Sequence, residues 1–353
     1  MKRSIQVLIL SLIVVVLLPV QPVSQQTQSH ETPSSRLRVV TELVTAEALV
    51  LDKKSAKVVG TLRQDEFELY EENIKQTLSH FGIDSRPLSV VLLIDVSLSV
   101  QYVTREIAEK ARKILRQFKS DDEVALMSFH CTTKSWVDFT KDRDLIADKL
   151  KDSNMLYFEP SPEVKINGTV ISDSIYRAAE ILQRSSNPPG RRVIIIVTDN
   201  LPDNTGTIYS EKQVVDQLLE AGCIVYGVRV NPYRSSSKSS RVVAYLPTSI
   251  LGDAVYRIMS GYGRHGGDAN TYAEKTGGMV LDGRKDKAAE KLAELIQMLR
   301  QRYSFGYTST NPVMDGRFRK IKVKLRPEAE KRYGKVTILA RPGYYARRPA
   351  QMK

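Results

Sequence analysis

Five oxygen-bearing side chains stand at spacings that suit a hard divalent cation. Asp95, Ser97 and Ser99 alternate within Asp95-Val96-Ser97-Leu98-Ser99, Thr169 follows Gly168, and Asp199 lies within Thr198-Asp199-Asn200. In a turn leaving a strand, residues two apart can point the same way, so Asp95, Ser97 and Ser99 can line one wall of a site. Thr169 and Asp199 can close the other wall. The set offers two carboxylates and three hydroxyls, with no sulfur or imidazole. Such ligands suit Mg²⁺, Mn²⁺ or Ca²⁺. Five side chains do not fill an octahedron, particularly where one reaches the ion through water. A position is left for an outside ligand, ideally a carboxylate. Three neutral hydroxyls limit the negative charge, so the ion keeps enough Lewis acidity to attract that carboxylate.

These residues need a scaffold, and the chain between 88 and 303 supplies alternating strands and helices. Ser89 to Asp95 (SVVLLID) and Arg192 to Asp199 (RVIIIVTD) are almost wholly apolar, as strands buried on both faces are. Glu123 to Phe129 and Ser135 to Phe139 read as a strand pair, Cys223 to Val230 and Met279 to Leu281 as further strands. Helices are predicted over Thr104 to Phe118, Asp142 to Lys151, Thr169 to Gln183, Glu211 to Ala221, Ala269 to Thr276 and Asp286 to Tyr303. In the first, Ile107, Ala111, Ile114, Leu115 and Phe118 form one apolar stripe. The expected fold class is α/β, a doubly wound, mostly parallel, Rossmann-like sheet with right-handed crossovers. Asp95, Thr169 and Asp199 then fall at the carboxyl edge of the sheet, where open parallel sheets bind ligands.

The flanks read differently. Residues 37–86 and 304–348 are short strands, the clearest being Arg319 to Arg326, where Ile321, Val323 and Leu325 alternate with Lys320, Lys322, Lys324 and Arg326. Each flank is small for a core of its own. Both are therefore expected to pair into one small β-sandwich beside the α/β domain of residues 87–303, with the lysine stripe as its solvated face. Residues 231–268, rich in Ser, Arg, Gly and Tyr and carrying a helical stretch from Thr248 to Ser260, form an insertion at the ligand edge. That segment and residues 153–168 are expected to form the rim of the site. At the start, Lys2 and Arg3 precede a greasy run from Ile5 to Leu18. Residues 1–24 read as a signal peptide, an uncleaved membrane anchor being the alternative, and residues 25–36 as a linker.

Composition narrows the class. The 353 residues are 42% hydrophobic and 26% charged, an ordinary globular balance. The formal net charge of +13 favours polyanions such as an anionic envelope surface. No nucleic-acid-binding motif accompanies it. Two cysteines, Cys131 and Cys223, border different strands and are expected as free thiols, and the four histidines are scattered. No GxSxG elbow, HExxH, P-loop or strand-borne GxGxxG occurs. A phosphotransferase using Asp95 as nucleophile would want a second Asp where Ser97 stands. The blander alternatives are that Asp95 and Asp199 cap turns and that Thr169 caps its helix. Asp173, one turn into that helix, is expected to stabilise its start, and Trp136 to sit in the core or at the rim. Asn167-Gly168-Thr169 is formally a glycosylation sequon, discounted because a glycan would block the site.

The D-x-S-x-S, later G-T and later T-D pattern, on this strand and helix order, resembles the metal-ion-dependent adhesion site of von Willebrand factor type A domains. The resemblance covers residues 88 to about 303 and implies Asp95, Ser97, Ser99, Thr169 and Asp199 as metal positions. The flanks are similar to a wider group of exported bacterial proteins carrying such a domain. Phe67-Glu68-Leu69-Tyr70-Glu71-Glu72 fits its F-E-L-x-E-[DE] segment, and Gly306-Tyr307-Thr308 and Arg341-Pro342-Gly343-Tyr344-Tyr345 fit its closing strands. Leu98 and Asn200 stand where that family often has Gly. Asn tolerates left-handed backbone, whereas Leu98 is expected to put an apolar group on the rim. The resemblance implies a non-enzymatic, metal-dependent protein-binding module of the cell envelope. A partner Asp or Glu completes the coordination, and the protein is periplasmic, surface-bound or secreted. A structural protein with a vestigial metal site is the alternative.

Overall fold

The structure is a computed structural model that describes residues 43–156, 169–187, 191–200, 207–230, 266–283 and 287–346. The expected signal peptide and linker, residues 157–168 of the rim and residues 231–265 of the insertion lie outside the described residues. So does the helical stretch from Thr248 to Ser260.

Strands β1 (Leu43–Asp52), β2 (Phe67–Glu71), β3 (Ile74–Gln76) and β4 (Leu78–Ile83) precede the α/β unit. That unit contains β5 (Ser89–Asp95), β6 (Glu123–Phe129), β7 (Thr133–Thr140), β8 (Arg192–Thr198), β9 (Cys223–Arg229) and β10 (Val280–Asp282). Its helices are α1 (Gln101–Leu115), α2 (Arg143–Leu150), α3 (Ser153–Leu156), α4 (Ile171–Leu182), α5 (Glu211–Ala221), α6 (Ala269–Thr276) and α7 (Ala288–Met298). After it come β11 (Tyr303–Thr308), β12 (Phe318–Leu325), α8 (Pro327–Tyr333), β13 (Val336–Ala340) and β14 (Gly343–Tyr345).

The central sheet runs β10-β9-β8-β5-β6-β7. Its neighbours are parallel except β6 and β7, which are antiparallel. All seven residues of β5 are buried, as an apolar run between two helix layers must be. The period-two alternation splits them between two cores. Val90, Leu92 and Ile94 pack with Ile107, Ala111, Leu292 and Ile296 of α1 and α7. Val91 and Leu93 pack with Ile175, Leu182, Leu218 and Ala273 of α4, α5 and α6. The expected doubly wound α/β architecture is present.

The flanks close on each other. One sheet is β13-β1-β11-β4 and the other β14-β12-β2-β3, so each takes strands from both ends of the chain. Their shared core joins Ala46, Ala48 and Val50 to Phe67, Leu69, Ile321 and Val323. The Phe67 ring lies 5.1 Å from that of Tyr303 and 5.0 Å from that of Phe305. Lys320, Lys322 and Lys324 face solvent while Ile321, Val323 and Leu325 are buried, so the lysine stripe is the outer face of β12. β1 serves two cores: its Leu49 and Leu51 turn away from the sandwich and join the α1–α7 layer.

Several elements depart from the expected ones, among them α1, which runs from Gln101 to Leu115 rather than from Thr104 to Phe118. The helix expected from Thr169 begins at Ile171, with Val170 at its cap position and no capping side chain, so Thr169 is not a helix cap. The last helix, expected to reach Tyr303, stops at Met298 and passes through a 3-10 turn, Leu299–Gln301. Tyr303 pairs instead with Ala48 and Ile83 on its two sides, and two ladders of sheet bonds outweigh a local helical preference. Helix α8 was not anticipated, although Pro327 at its first turn and Gly334 just past its end, at φ 75°, are ordinary start and stop signals.

Candidate metal centre

Asp95 is the last residue of β5 and is 1% exposed. The parallel register places Ile94 opposite Val197 of β8 and Asp95 opposite Phe129 of β6. Three elements then fix the aspartate. Its Oδ1 accepts the Ser97 N–H at 2.9 Å, from its own turn. Its Oδ2 accepts the Thr198 hydroxyl of β8 at 2.7 Å. Its backbone carbonyl accepts the Thr104 hydroxyl of α1 at 3.0 Å. The Ser97 and Ser99 hydroxyls lie 3.0 Å apart, the convergence that the two-residue spacing implies. Burial pushes the Asp95 carboxyl above the ordinary carboxylate range, against the pull of the Ser97 and Thr198 hydrogen bonds. Both donors to its carboxylate are neutral groups.

Thr169 is buried two residues before α4. The next residue, Val170, donates its N–H to the His130 carbonyl at 3.0 Å, which holds Thr169 against the end of β6. Asp199 is buried in the connection leaving β8. Asn200 follows in the left-handed region at φ 61°. Its N–H donates to the Thr198 hydroxyl at 3.0 Å, its Nδ2 to Asp268 Oδ2 at 3.1 Å, and its Oδ1 accepts the Ala269 N–H at 2.8 Å. Asp268 in turn caps α6 through the Thr271 N–H. Asp95, Ser97, Ser99, Thr169 and Asp199 therefore all stand at the carboxyl ends of β5, β6 and β8. Among the described residues, no three His, Cys, Asp or Glu side chains gather into a group able to hold a metal. The set at this edge differs in kind, with two carboxylates and three hydroxyls.

Several residues do more than expected. Asp173 stands in the first turn of α4, as expected for a carboxylate at a helix start, and it also accepts the Ile208 and Tyr209 N–H groups, at 3.0 and 3.1 Å, which ties α4 to the entry of α5. Thr198, Thr104 and Asp268 position the site without having been singled out for it. The available signal for Thr198 was its place in β8, one step beyond the paired Val197 and thus level with Asp95. Leu98 is 78% exposed, an apolar group on the rim as anticipated. Trp136 is half-buried, with its ring N–H donating to Ser128 Oγ at 2.7 Å and the Lys134 ammonium 4.0 Å over the ring. Cys131 and Cys223 are buried free thiols, and burial pushes Cys223 up to about 12, too high for reactivity near neutral pH. Asn167 and Gly168 lie outside the described residues.

Residues 90–201 match the family described as von Willebrand factor type A domain. No curated protein matches the sequence. Among solved structures, the chain is similar to an aerotolerance-related membrane protein from Bacteroides fragilis carrying multiple mutations to serines. Identity is 14% over 60% of this chain and 98% of that one, with a TM-score of 0.39. It is also similar to the vWF domain of the type V pili tip protein Mfa5 from Porphyromonas gingivalis, at 22% identity over 34% of this chain and 40% of that one, TM-score 0.27. A third is proximal thread matrix protein 1 from the mussel byssus with zinc occupied MIDAS motif, at 13% identity over 64% and 48%, TM-score 0.39. Domains of the matched family are generally non-catalytic protein-interaction modules. With its six-stranded sheet between two helix layers and its match over residues 90–201, the chain contains a von Willebrand factor type A domain, joined to a β-sandwich built from both flanks.

Proposed function

We propose that the protein is an exported adhesion or scaffold module of the cell envelope that binds a protein partner through a divalent metal ion. The observation that carries this reading is Asp95: a buried carboxylate held only by neutral donors, beside two converging serine hydroxyls. A buried charge without a counter-charge is costly. A hard cation held by Asp95, Ser97, Ser99, Thr169 and Asp199 meets that need, and the donor set suits Mg²⁺, with Mn²⁺ or Ca²⁺ as alternatives. When bound, the ion supplies a Lewis acid toward which an Asp or Glu of the partner turns. Thr198 and Thr104 hold Asp95 in place, and Asn200 holds the loop after Asp199. The basic amino terminus and greasy run support export. The net charge of +13 suits an anionic envelope surface.

The test is thermal unfolding and calorimetry with Mg²⁺ and with Mn²⁺, on the wild type, Asp95→Ala and the milder Ser99→Ala. Ion at about a hundred times its dissociation constant stabilises the wild type by about 2.7 kcal/mol. Asp95→Ala abolishes that gain and Ser99→Ala reduces it. Equal heats and equal shifts in all three proteins would mean that the site is vestigial and the protein structural.

A further inference from the structure

Eight large hydrophobic side chains are conspicuously exposed among the described residues, and three of them, Leu98, Tyr102 and Ile208, belong to segments at the sheet edge that carries the candidate metal centre. Their exposures are 78%, 38% and 69%. Leu98 lies between Ser97 and Ser99, and Tyr102 is the second residue of α1. Ile208 is tied through its N–H to Asp173, in the first turn of α4. Helices α1 and α4 cover opposite faces of the central sheet. The edge that carries the centre therefore presents exposed apolar side chains from both helix layers, Leu98 with Tyr102 from the α1 side and Ile208 from the α4 side. Scattered exposed apolar residues are ordinary. Three on the edge that carries one carboxylate-and-hydroxyl set are an arrangement with a direction.

We infer that the centre takes a polypeptide ligand whose metal-bound Asp or Glu has large apolar residues within two positions on both sides. One of them covers Leu98 and Tyr102, the other Ile208. This rests on the metal-dependent reading above and adds to it the chemistry of the partner. A small free carboxylate reaches the ion but leaves these apolar side chains wet. An acidic polysaccharide brings hydroxyls against them and gains nothing from contact with leucine or isoleucine. An extended peptide delivers a carboxylate and two flanking side chains at once, and each apolar contact adds burial that a bare carboxylate lacks.

A heptapeptide library with a fixed central Asp and all other positions randomised, displayed on phage, tests this. It is sorted against the full chain at Mg²⁺ concentrations that saturate it, with elution by EDTA. The expected result is enrichment of Leu, Ile, Phe or Tyr within two positions on both sides of the Asp. A synthetic peptide of the enriched sequence binds Tyr102→Ser, Ile208→Ser and Leu98→Ser each about tenfold more weakly than the wild type. The comparison is made at Mg²⁺ concentrations saturating each protein, and melting temperatures confirm that these surface variants fold. EDTA-eluted peptides without apolar flanks, or equal affinity for the variants, would overturn the inference and leave the metal-dependent reading intact. So would Mg²⁺ heat without any EDTA-eluted peptide. Absence of Mg²⁺ binding by the wild type would overturn both.

Discussion

Thr198 uses its hydroxyl twice, donating it to Asp95 Oδ2 and accepting the Asn200 N–H. One side chain therefore sets both the aspartate that opens the site and the loop that carries Asp199. Asn200 extends the arrangement to α6 through Asp268 and Ala269. Its left-handed backbone is one that Asn adopts more readily than most non-glycine residues. Two substitutions separate backbone from side chain here. Asn200→Gly keeps the conformation but loses the side-chain hydrogen bonds, at a cost of about 1–2 kcal/mol. Asn200→Ala loses the same bonds and adds about 1–2 kcal/mol for an L side chain at positive φ. Urea unfolding of both variants measures the difference. An Ala variant no less stable than the Gly variant would refute the backbone account. The five donors were readable from residue type and spacing, whereas the groups that position them were not, because Thr198 meets Asp95 only across 103 residues of chain.

At the scale of elements, helix ends mark where the α/β unit meets its neighbours. Both α5 and α6 end on a left-handed glycine, Gly222 at φ 71° and Gly277 at φ 78°. The two positions look alike in sequence and differ in what surrounds them. A Cβ on Gly222 would meet the Arg341 guanidinium no closer than 3.5 Å, a flexible group at an ordinary distance. A Cβ on Gly277 would lie 2.2 Å from the Ala340 carbonyl oxygen, at the end of β13 in the sandwich. Gly222→Ala is expected to cost about 1–2 kcal/mol, the left-handed penalty alone. Gly277→Ala adds a backbone clash and costs roughly 3 kcal/mol or more. Denaturant midpoints compare the two directly, and equal losses would show that the α6–β13 approach is looser than the structure has it. Strand positions were legible because burial on both faces demands unbroken apolar runs. The ends of α4 and α7 were not, since sheet pairing and loop contacts set them.

Across the whole molecule, a buried charge cluster joins the sandwich to the α/β unit. Arg302, 2% exposed, reaches the Tyr226 hydroxyl of β9 and the Glu47 carbonyl of β1. Arg191 donates to the backbone carbonyls of Asp84 and Leu299, at 2.6 and 2.8 Å. Burial alone would raise the Asp84 carboxyl, but the Arg86 hydrogen bonds and the Arg191 and Arg86 charges outweigh it and hold Asp84 down at about 2, from an ordinary 3.8. A depressed carboxyl stabilises the fold above its unfolded value and loses that contribution as pH falls through its folded one. Asp84 therefore contributes about 2 kcal/mol near neutrality, lost between roughly pH 4 and pH 2. Because β1 serves both cores, unfolding is expected as a single transition, whose midpoint falls steeply over that window. In Asp84→Asn the fall is shallower and the neutral-pH midpoint lower. Two separate transitions, or an unchanged acid limb in the variant, would contradict this coupling.

Local pattern alone determined the doubly wound sheet, the strand-rich flanks and the edge at which Asp95, Ser97, Ser99, Thr169 and Asp199 stand. Apolar runs and residue alternation are properties of neighbours along the chain, and they dictate which side chains can be buried and which share a face. Only the tertiary structure decided which strands of the two flanks pair, which hydroxyls hold Asp95, and that Leu98, Tyr102 and Ile208 stand exposed at one edge of the sheet. Those are contacts and exposures among residues far apart in sequence, and they exist only once β5, β6 and β8 lie side by side with a helix layer on each face.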